Sequence, residues 1–337
     1  SLDWSAPKLL SQVGLDRDTV VASGAGTYKR EVHGITSSGR RLVAGPPRWF
    51  RSWPLRFENV TLHVDREQFD QRLLEAAVDA GVEFVWERIH TVQLVDDRVR
   101  GCSTSSGTSH EADWYVDASG RSRLIGKAAH IGTRRWGLQR IGIWTRRASP
   151  TPVEGTVLHL DDTADDLVWA WEIPIGRDRT SVGVVLPLDE FKTLRREEAS
   201  VDKVFSRALG HFPNLEPPAS PGPVMTRVYQ PNVSERVVGP NWMMVGEAAC
   251  LIDPLSSIGV TTAFRHGTEA AKIITQSLEE PDAAHRLLSG YDQRVRGVAV
   301  LYNDALDTLL YREGLRRRLG IKQAARAYVI LGYLANA

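Results

Sequence analysis

The feature that most constrains the fold is a strand, a glycine turn, a loop and a helix in immediate succession near residue 250. Trp242-Met243-Met244-Val245 is a short apolar run that ends at Gly246-Glu247, too brief for a helix and punctuated as a buried strand is. The loop through Asp253-Pro254 leads to Ser256-Ser257-Ile258-Gly259-Val260. Val260, Ala263, Phe264, Gly267, Ala270, Ala271 and Ile274 then recur at helical spacing. Glycine lets a backbone approach a ligand closely, and the unpaired N–H groups of a helix's first turn attract negative charge. A second apolar run, Trp114-Tyr115-Val116, passes into Asp117-Ala118-Ser119-Gly120. Glycine turns placed directly after buried strands are where open α/β sheets bind ligands.

The rest of the chain carries patterns of both periods. Asp65-Arg66-Glu67-Gln68 has a capping-box arrangement, with Phe69, Leu73, Ala76, Ala77 and Ala80 following before Gly81, which predicts an amphipathic helix. Strands expected at 60–64 and 82–86 would make a βαβ-like unit around it. Val92, Leu94 and Val99 flank Asp96-Asp97 as a hairpin does. From Ile141 to Leu186 the β-branched and aromatic content rises, predicting strands at 141–145, 156–160, 167–171 and 181–186 in an antiparallel sheet. Helices are expected at 189–199 and 201–209, then a loop through Pro213, Pro217, Pro218, Pro221 and Pro223, and a strand near 224–229. Beyond Pro281 the pattern is helical, with Leu287, Leu288, Tyr291, Val295, Val298 and Tyr302 on one face.

Composition excludes several classes. The net charge of +1 over 337 residues does not point to nucleic acid. Cys102 and Cys250 stand outside any CxxC or Cys/His spacing, so no zinc site or disulfide framework is expected. No apolar run reaches the roughly 18 residues of a membrane span; a cytoplasmic location is the expectation. His63, His90, His159 and His266 have no triad-like partner in sequence and read as structural, and Arg312, Arg316, Arg317 and Arg318 read as a solvated helix face.

On these residues the chain resembles the flavoprotein monooxygenase superfamily, which includes aromatic hydroxylases, geranylgeranyl reductase-like enzymes and flavin-dependent halogenases. Gly246, Asp253, Pro254 and Gly259 match its GD and DP…G segments, with Glu247 in place of the usual Asp. The resemblance implies FAD as cofactor. It implies contacts from Gly246 and Glu247 to the ribityl chain, and from Asp253, Pro254, Ser257, Ile258, Gly259 and Val260 to the isoalloxazine side. The Val64-to-Asp70 segment implies Arg66 against FAD, and Asp117 with Gly120 resembles the DxxG turn near the adenosine half. The GxGxxG turn of the family is not found; Gly24-Ala25-Gly26 lacks its third glycine and its preceding strand. The expectation is that an N-terminal βαβ unit precedes Ser1.

The implied fold is α/β: a discontinuous Rossmann-like FAD-binding domain over 1–135 and 236–280, an inserted β-rich substrate domain over 136–235, and C-terminal helices over 281–337. Trp169-Ala170-Trp171-Glu172-Ile173-Pro174 matches the WxWxIP segment of flavin-dependent halogenases, and Thr27-Tyr28-Lys29 resembles the segment bearing their catalytic lysine. The resemblance implies a monooxygenase or halogenase working through a flavin C4a-peroxide, with Lys29, Trp169 and Trp171 as catalytic residues. Its substrate would be an aromatic or electron-rich small molecule, free or carrier-bound, and its electrons would come from a flavin reductase or NAD(P)H. Only 36 residues lie between Lys29 and Arg66, where tryptophan halogenases carry long insertions, so free tryptophan is not the expected substrate. Ser256-Ser257-Ile258-Gly259 departs from their SSG run by Ile258. The alternatives are a geranylgeranyl reductase-like flavin reductase and a truncated, non-catalytic fragment.

Overall fold

The computed structural model describes residues 1–44, 60–148, 155–215 and 222–313, together with Gly320, Gln323, Ala324 and Ala327. Pro217, Pro218, Pro221, Arg316, Arg317, Arg318 and the apolar stretch 328–334 lie outside the described residues. The protein is an α/β chain with mixed sheets and long helices toward its C-terminal end. It divides into two compact units. The first gathers the described parts of Ser1–Val82, Gly137–Gln230 and Asp307–Val329; the second includes Glu83–Trp136 and Pro231–Leu306.

The first unit is built on a seven-stranded sheet. Its order is Met225–Tyr229, Arg140–Arg147, Arg179–Pro187, Val168–Gly176, Gly155–Asp161, Glu31–Thr36 and Arg41–Ala44. All neighbours are antiparallel except Gly155–Asp161 beside Glu31–Thr36, which is parallel. The strands expected between 141 and 229 are present, most of them a residue or more longer at one or both ends. One sheet face buries Ile141, Ile143, Val168, Ala170, Val182, Val184 and Leu186 against Val204, Phe205, Ala208 and Leu209 of the helix Val201–Leu209. That helix starts where the spacing predicts, and Ser200 caps it by accepting from the Lys203 N–H at 3.3 Å. The recruitment of Glu31–Thr36 into this sheet was not legible locally, since its partner lies more than a hundred residues away.

Two expectations around residue 65 are overturned. Thr61–Val64 pairs antiparallel with Gly26–Lys29, and 82–86 forms no strand, so the helix Arg66–Asp79 is not the middle of a βαβ unit. Val82, Phe84, Val85 and Trp86 are exposed; strand propensity expresses packing against a neighbouring strand, and none pairs with them among the described residues. Asp65 does stand at the helix N-cap, but its carboxylate makes no cap hydrogen bond. It is buried and faces Arg179 at 3.0 Å and Arg146 at 3.5 Å, because a buried charge needs countercharge more than an N–H needs a cap.

The second unit supplies the parallel pairing. Tyr115–Asp117 and Trp242–Met244 run parallel, Tyr115 opposite Trp242 and Asp117 opposite Met244, with Val238–Gly239 antiparallel beyond. Trp242, Met243 and Met244 are fully buried. The helix Ala284–Leu306 turns Leu288, Tyr291, Val295, Ala299 and Tyr302 inward, and the Tyr291 hydroxyl donates to the Met244 carbonyl at 2.8 Å. The expected hairpin is Ile89–Val95 with Arg98–Thr104. Its turn residues Asp96 and Asp97 both have positive φ, 48° and 62°, the conformation a tight two-residue hairpin demands and aspartate tolerates.

Candidate active site

In the second unit both parallel strands end in glycine turns, and the two turns meet. Tyr115–Asp117 leads to a short turn Gly120–Ser122, and Trp242–Met244 to Gly246–Ala248. Gly120 and Gly246 have φ of +60° and +56°, a region that L side chains enter only with strain. Across the junction Arg121 Nε lies 3.8 Å from Glu247 Oε1, both side chains partly exposed. The Asp117 carboxylate is buried and serves its own turn, accepting from the Ser119 N–H at 3.0 Å and the Ile125 N–H at 2.9 Å.

The Gly246 turn is pinned from behind by the long helix Gly259–Glu279. Its N–H donates to His266 Nδ1 at 3.2 Å. Burial, with a smaller push from Arg265, lowers the His266 pKa to about 4, which keeps the imidazole neutral and its nitrogen an acceptor. Asp253 is also buried; its Oδ1 accepts from the Leu255 N–H at 2.9 Å, capping the turn Pro254–Ser256. Ser257 then adopts φ +57°, a strained conformation for a residue with a Cβ. Ile258 occupies the helix N-cap and provides no side-chain acceptor, so the first-turn N–H groups of Gly259, Val260 and Thr261 are left for another acceptor. A methyl placed on Gly259 would meet no described atom within 4 Å.

The first unit holds the other set of expected site residues. Lys29 ends the strand Gly26–Lys29 and is 4% exposed. Its Nζ donates to the Leu2 carbonyl at 2.9 Å and to Ser1 Oγ at 3.0 Å, 5.4 Å from the centre of the Trp4 ring. Burial lowers its pKa to about 8 against the opposing pull of Asp3. Trp169 and Trp171 project from the sheet face opposite Val168 and Ala170, as alternation requires, with ring centres 5.7 Å apart. Trp169 Nε1 donates to the Tyr311 hydroxyl at 3.2 Å and Trp171 Nε1 to Ser181 Oγ at 3.1 Å. Gly183 makes room for Trp171: a Cβ there would lie 2.2 Å from its ring. The strand bearing Lys29 touches the strand bearing the tryptophans, since Thr27 Oγ1 donates to the Pro174 carbonyl at 2.7 Å.

Of the expected site residues, Asp117, Gly120, Gly246, Glu247, Asp253, Pro254, Ser257, Ile258, Gly259 and Val260 lie in the second unit, and Lys29, Trp169 and Trp171 in the first. Arg66 is in the first unit and turned to its own helix, with Nε and Nη2 donating to the two oxygens of Asp70 at 2.8 and 2.9 Å. Three histidines set aside as lone structural residues have partners in space, His63 among them with Thr156 Oγ1 2.9 Å from its Nε2. His159 Nε2 lies 3.0 Å from Glu172 Oε1, and His266 clamps Gly246. The clamp had a signal, since His266 falls one turn from Ala270 on the helix's buried stripe.

This α/β architecture, with mixed sheets and long helices toward the C-terminal end, matches the fold of flavin-dependent halogenase structures. The flavin-dependent brominase Bmp2 superposes with a TM-score of 0.75 at 22% identity, over 98% of this chain and 83% of that one. The chain belongs to the tryptophan halogenase family, whose profile matches residues 50–307. The tryptophan 2-halogenase of Chondromyces crocatus is 28% identical over 262 residues, 72% of this chain and 49% of its own length. The 1H-pyrrole-2-carbonyl-[peptidyl-carrier protein] brominase of Pseudoalteromonas luteoviolacea is 26% identical over 238 residues, 66% of this chain and 57% of its own length. The chain spans about half the length of these curated relatives.

Proposed function

We propose that this chain carries the FAD-binding and halogenating machinery of a flavin-dependent halogenase acting on an aromatic or electron-rich small molecule. The observation that carries the reading is the direct contact, in one unit, between the Lys29 strand and the Trp169–Trp171 strand through Thr27 and Pro174. In this reading the FAD-binding part includes the glycine turns of the second unit, while Lys29, Trp169 and Trp171 lie together in the first. The donor set fits FAD: two left-handed glycine turns side by side, a partly exposed carboxylate at Glu247 able to accept from ribityl hydroxyls, and an open first turn at Gly259.

Reduced FAD, when bound, supplies the electrons and the oxygen activation that convert halide to an electrophilic halogen. Backbone N–H groups of Ser257, Ile258, Gly259 and Val260 would hold the electron-rich edge of the bound ring system or the halide. Trp169 and Trp171, paired on one face of the first unit's sheet, would offer an aromatic wall to the substrate and limit its approach to a bound flavin. Lys29 Nζ donates a hydrogen bond to hypohalous acid and directs its halogen to the substrate carbon; burial places this amine's titration near neutrality. The short segment between Lys29 and Arg66 favours a small phenolic or pyrrolic acceptor, free or presented by a carrier protein, over tryptophan. Electrons come from a separate flavin reductase or NAD(P)H, and a cytoplasmic setting suits both.

Lys29→Ala tests this reading. With FAD, a flavin reductase, bromide and phenolic or pyrrolic acceptors, halogenated product is expected to fall on the order of 100-fold or more, while reduced flavin is still consumed. Undiminished halogenation would overturn it. Ile258, inserted where halogenases have SSG, favours hydroxylation as the second reading; a hydroxylated product formed at the same rate without halide would establish it.

A further inference from the structure

Lys29 is the head of a chain of buried and half-buried polar groups that runs through the first unit and ends beside the tryptophan strand. From Nζ it runs to Ser1 Oγ at 3.0 Å, to Thr156 Oγ1 at 3.4 Å, to His63 Nε2 at 2.9 Å, from His63 Nδ1 to Thr27 Oγ1 at 3.4 Å, and to the Pro174 carbonyl at 2.7 Å. His63 is fully buried, and Thr156 nearly so. The far end determines the direction of every link. A carbonyl only accepts, so the single hydroxyl proton of Thr27 is spent on Pro174, and Thr27 faces His63 with a lone pair. His63 is kept neutral by burial first, then by the positive charges of the Ser1 amino group and of Lys29, so it has one N–H, and that proton sits on Nδ1. Nε2 therefore accepts from Thr156, whose own lone pair accepts from Ser1, whose lone pair accepts from Lys29.

We propose that His63, acting through Thr156 and Ser1, is a positioning residue that holds Lys29 as a hydrogen-bond donor. The proposal rests on the reading of Lys29 as the group that meets the halogen donor. Every neighbour of Nζ in the chain is an acceptor: the Ser1 hydroxyl oxygen, the Leu2 carbonyl and the face of Trp4. The ammonium satisfies all three, whereas the lone pair of a neutral amine would point at another lone pair. Burial opposes the cation and Asp3 attracts it, while neutral His63 and the Ser1 amino group, whose pKa burial and then Lys29 lower to about 5, add no opposing charge near neutral pH. If the link at Thr156 is cut, the Ser1 proton is released, Ser1 can turn to donate to the neutral amine, and the ammonium loses its advantage.

The test is the pH titration of Lys29 followed by NMR of 13Cε-lysine-labelled protein, its signal assigned by loss in Lys29→Arg. Thr156→Val keeps the β-branched shape and removes the link; its Lys29 midpoint is expected to fall by about half a pH unit or more. Thr156→Ser, which keeps the hydroxyl, is expected to titrate like the wild type. A Thr156→Val midpoint equal to or above the wild-type value overturns the proposal. A measurement on the unmutated protein decides independently of folding: 15N shifts of His63 must show the proton on Nδ1, and a proton on Nε2 overturns it. Halogenation surviving Lys29→Ala would remove the functional reading of Lys29 without touching either result.

Discussion

Replacing Gly246 and Gly259 by alanine, one at a time, separates what the glycine turns do for the fold from what they do for a ligand. Gly246 has φ +56° and is tied to His266 by its N–H. Alanine in the left-handed region costs about 1–2 kcal/mol. The new Cβ would stand 3.1 Å from the Ala263 Cβ, close enough that the helix behind must give by a few tenths of an ångström. At about 2–4 °C per kcal/mol, Gly246→Ala is expected to lower the unfolding midpoint by roughly 2–8 °C in the absence of cofactor. Gly259 has no positive φ and open space around it, and alanine in a helix gains up to about 1 kcal/mol through the unfolded chain. Gly259→Ala should therefore unfold at the same temperature as the wild type or above it. Its methyl nevertheless stands at the first turn assigned to the flavin, so FAD affinity should drop. The assay is thermal unfolding with and without FAD, paired with a flavin fluorescence titration. A Gly246→Ala protein as stable as wild type would refute the strain argument, and a Gly259→Ala protein binding FAD undiminished would refute the placement of the flavin at that helix.

Two further outcomes follow from the first unit. His211 bridges Asp161 at 2.9 Å and Glu190 at 3.2 Å, and the Glu190 hydrogen bond first, then Asp161, raise its pKa from 6.5 to about 9 against the opposing effect of burial. A raised folded-state pKa stabilises fully below 6.5 and is lost as the pH climbs through about 9. With the side chain 31% exposed, the contribution is about 1–2 kcal/mol after solvent screening; urea unfolding at pH 6 and 10 should show the loss in the wild type and not in His211→Gln. Gly183→Ala drives a methyl into the Trp171 ring, a clash at 2.2 Å, and is expected to cost about 1–3 kcal/mol and to change the tryptophan near-UV circular dichroism. Unchanged unfolding and spectrum would mean that Trp171 does not need the gap.

Local pattern carried much of the fold. The helices 66–79, 201–209 and 259–279, the strands between 140 and 229 and the Asp96-Asp97 hairpin were all legible, because amphipathic period and turn chemistry are properties of a few adjacent residues. Val82 to Trp86 shows where that stops: its composition suits a strand, and it forms none, since a strand exists only if another lies beside it. Asp65 fails as a cap for a related reason, with Arg146 and Arg179 arriving from a sheet that no reading of residues 65–68 could reveal.

The candidate site divides along the same line. That Gly246, Asp253, Pro254 and Gly259 shape a turn before a helix, and that Trp169 and Trp171 share a sheet face, is written in spacing alone, because backbone conformation and strand alternation act over a handful of residues. What the tertiary structure decided is which groups face each other across long separations. Those pairs are Gly246 with His266, Trp171 with Gly183, and Lys29 with Ser1, followed by Thr156 and His63. Whether a buried histidine is inert or a lysine is held as a donor depends on the acceptors within 3 Å or so, and these come from distant parts of the chain only when the sheet closes.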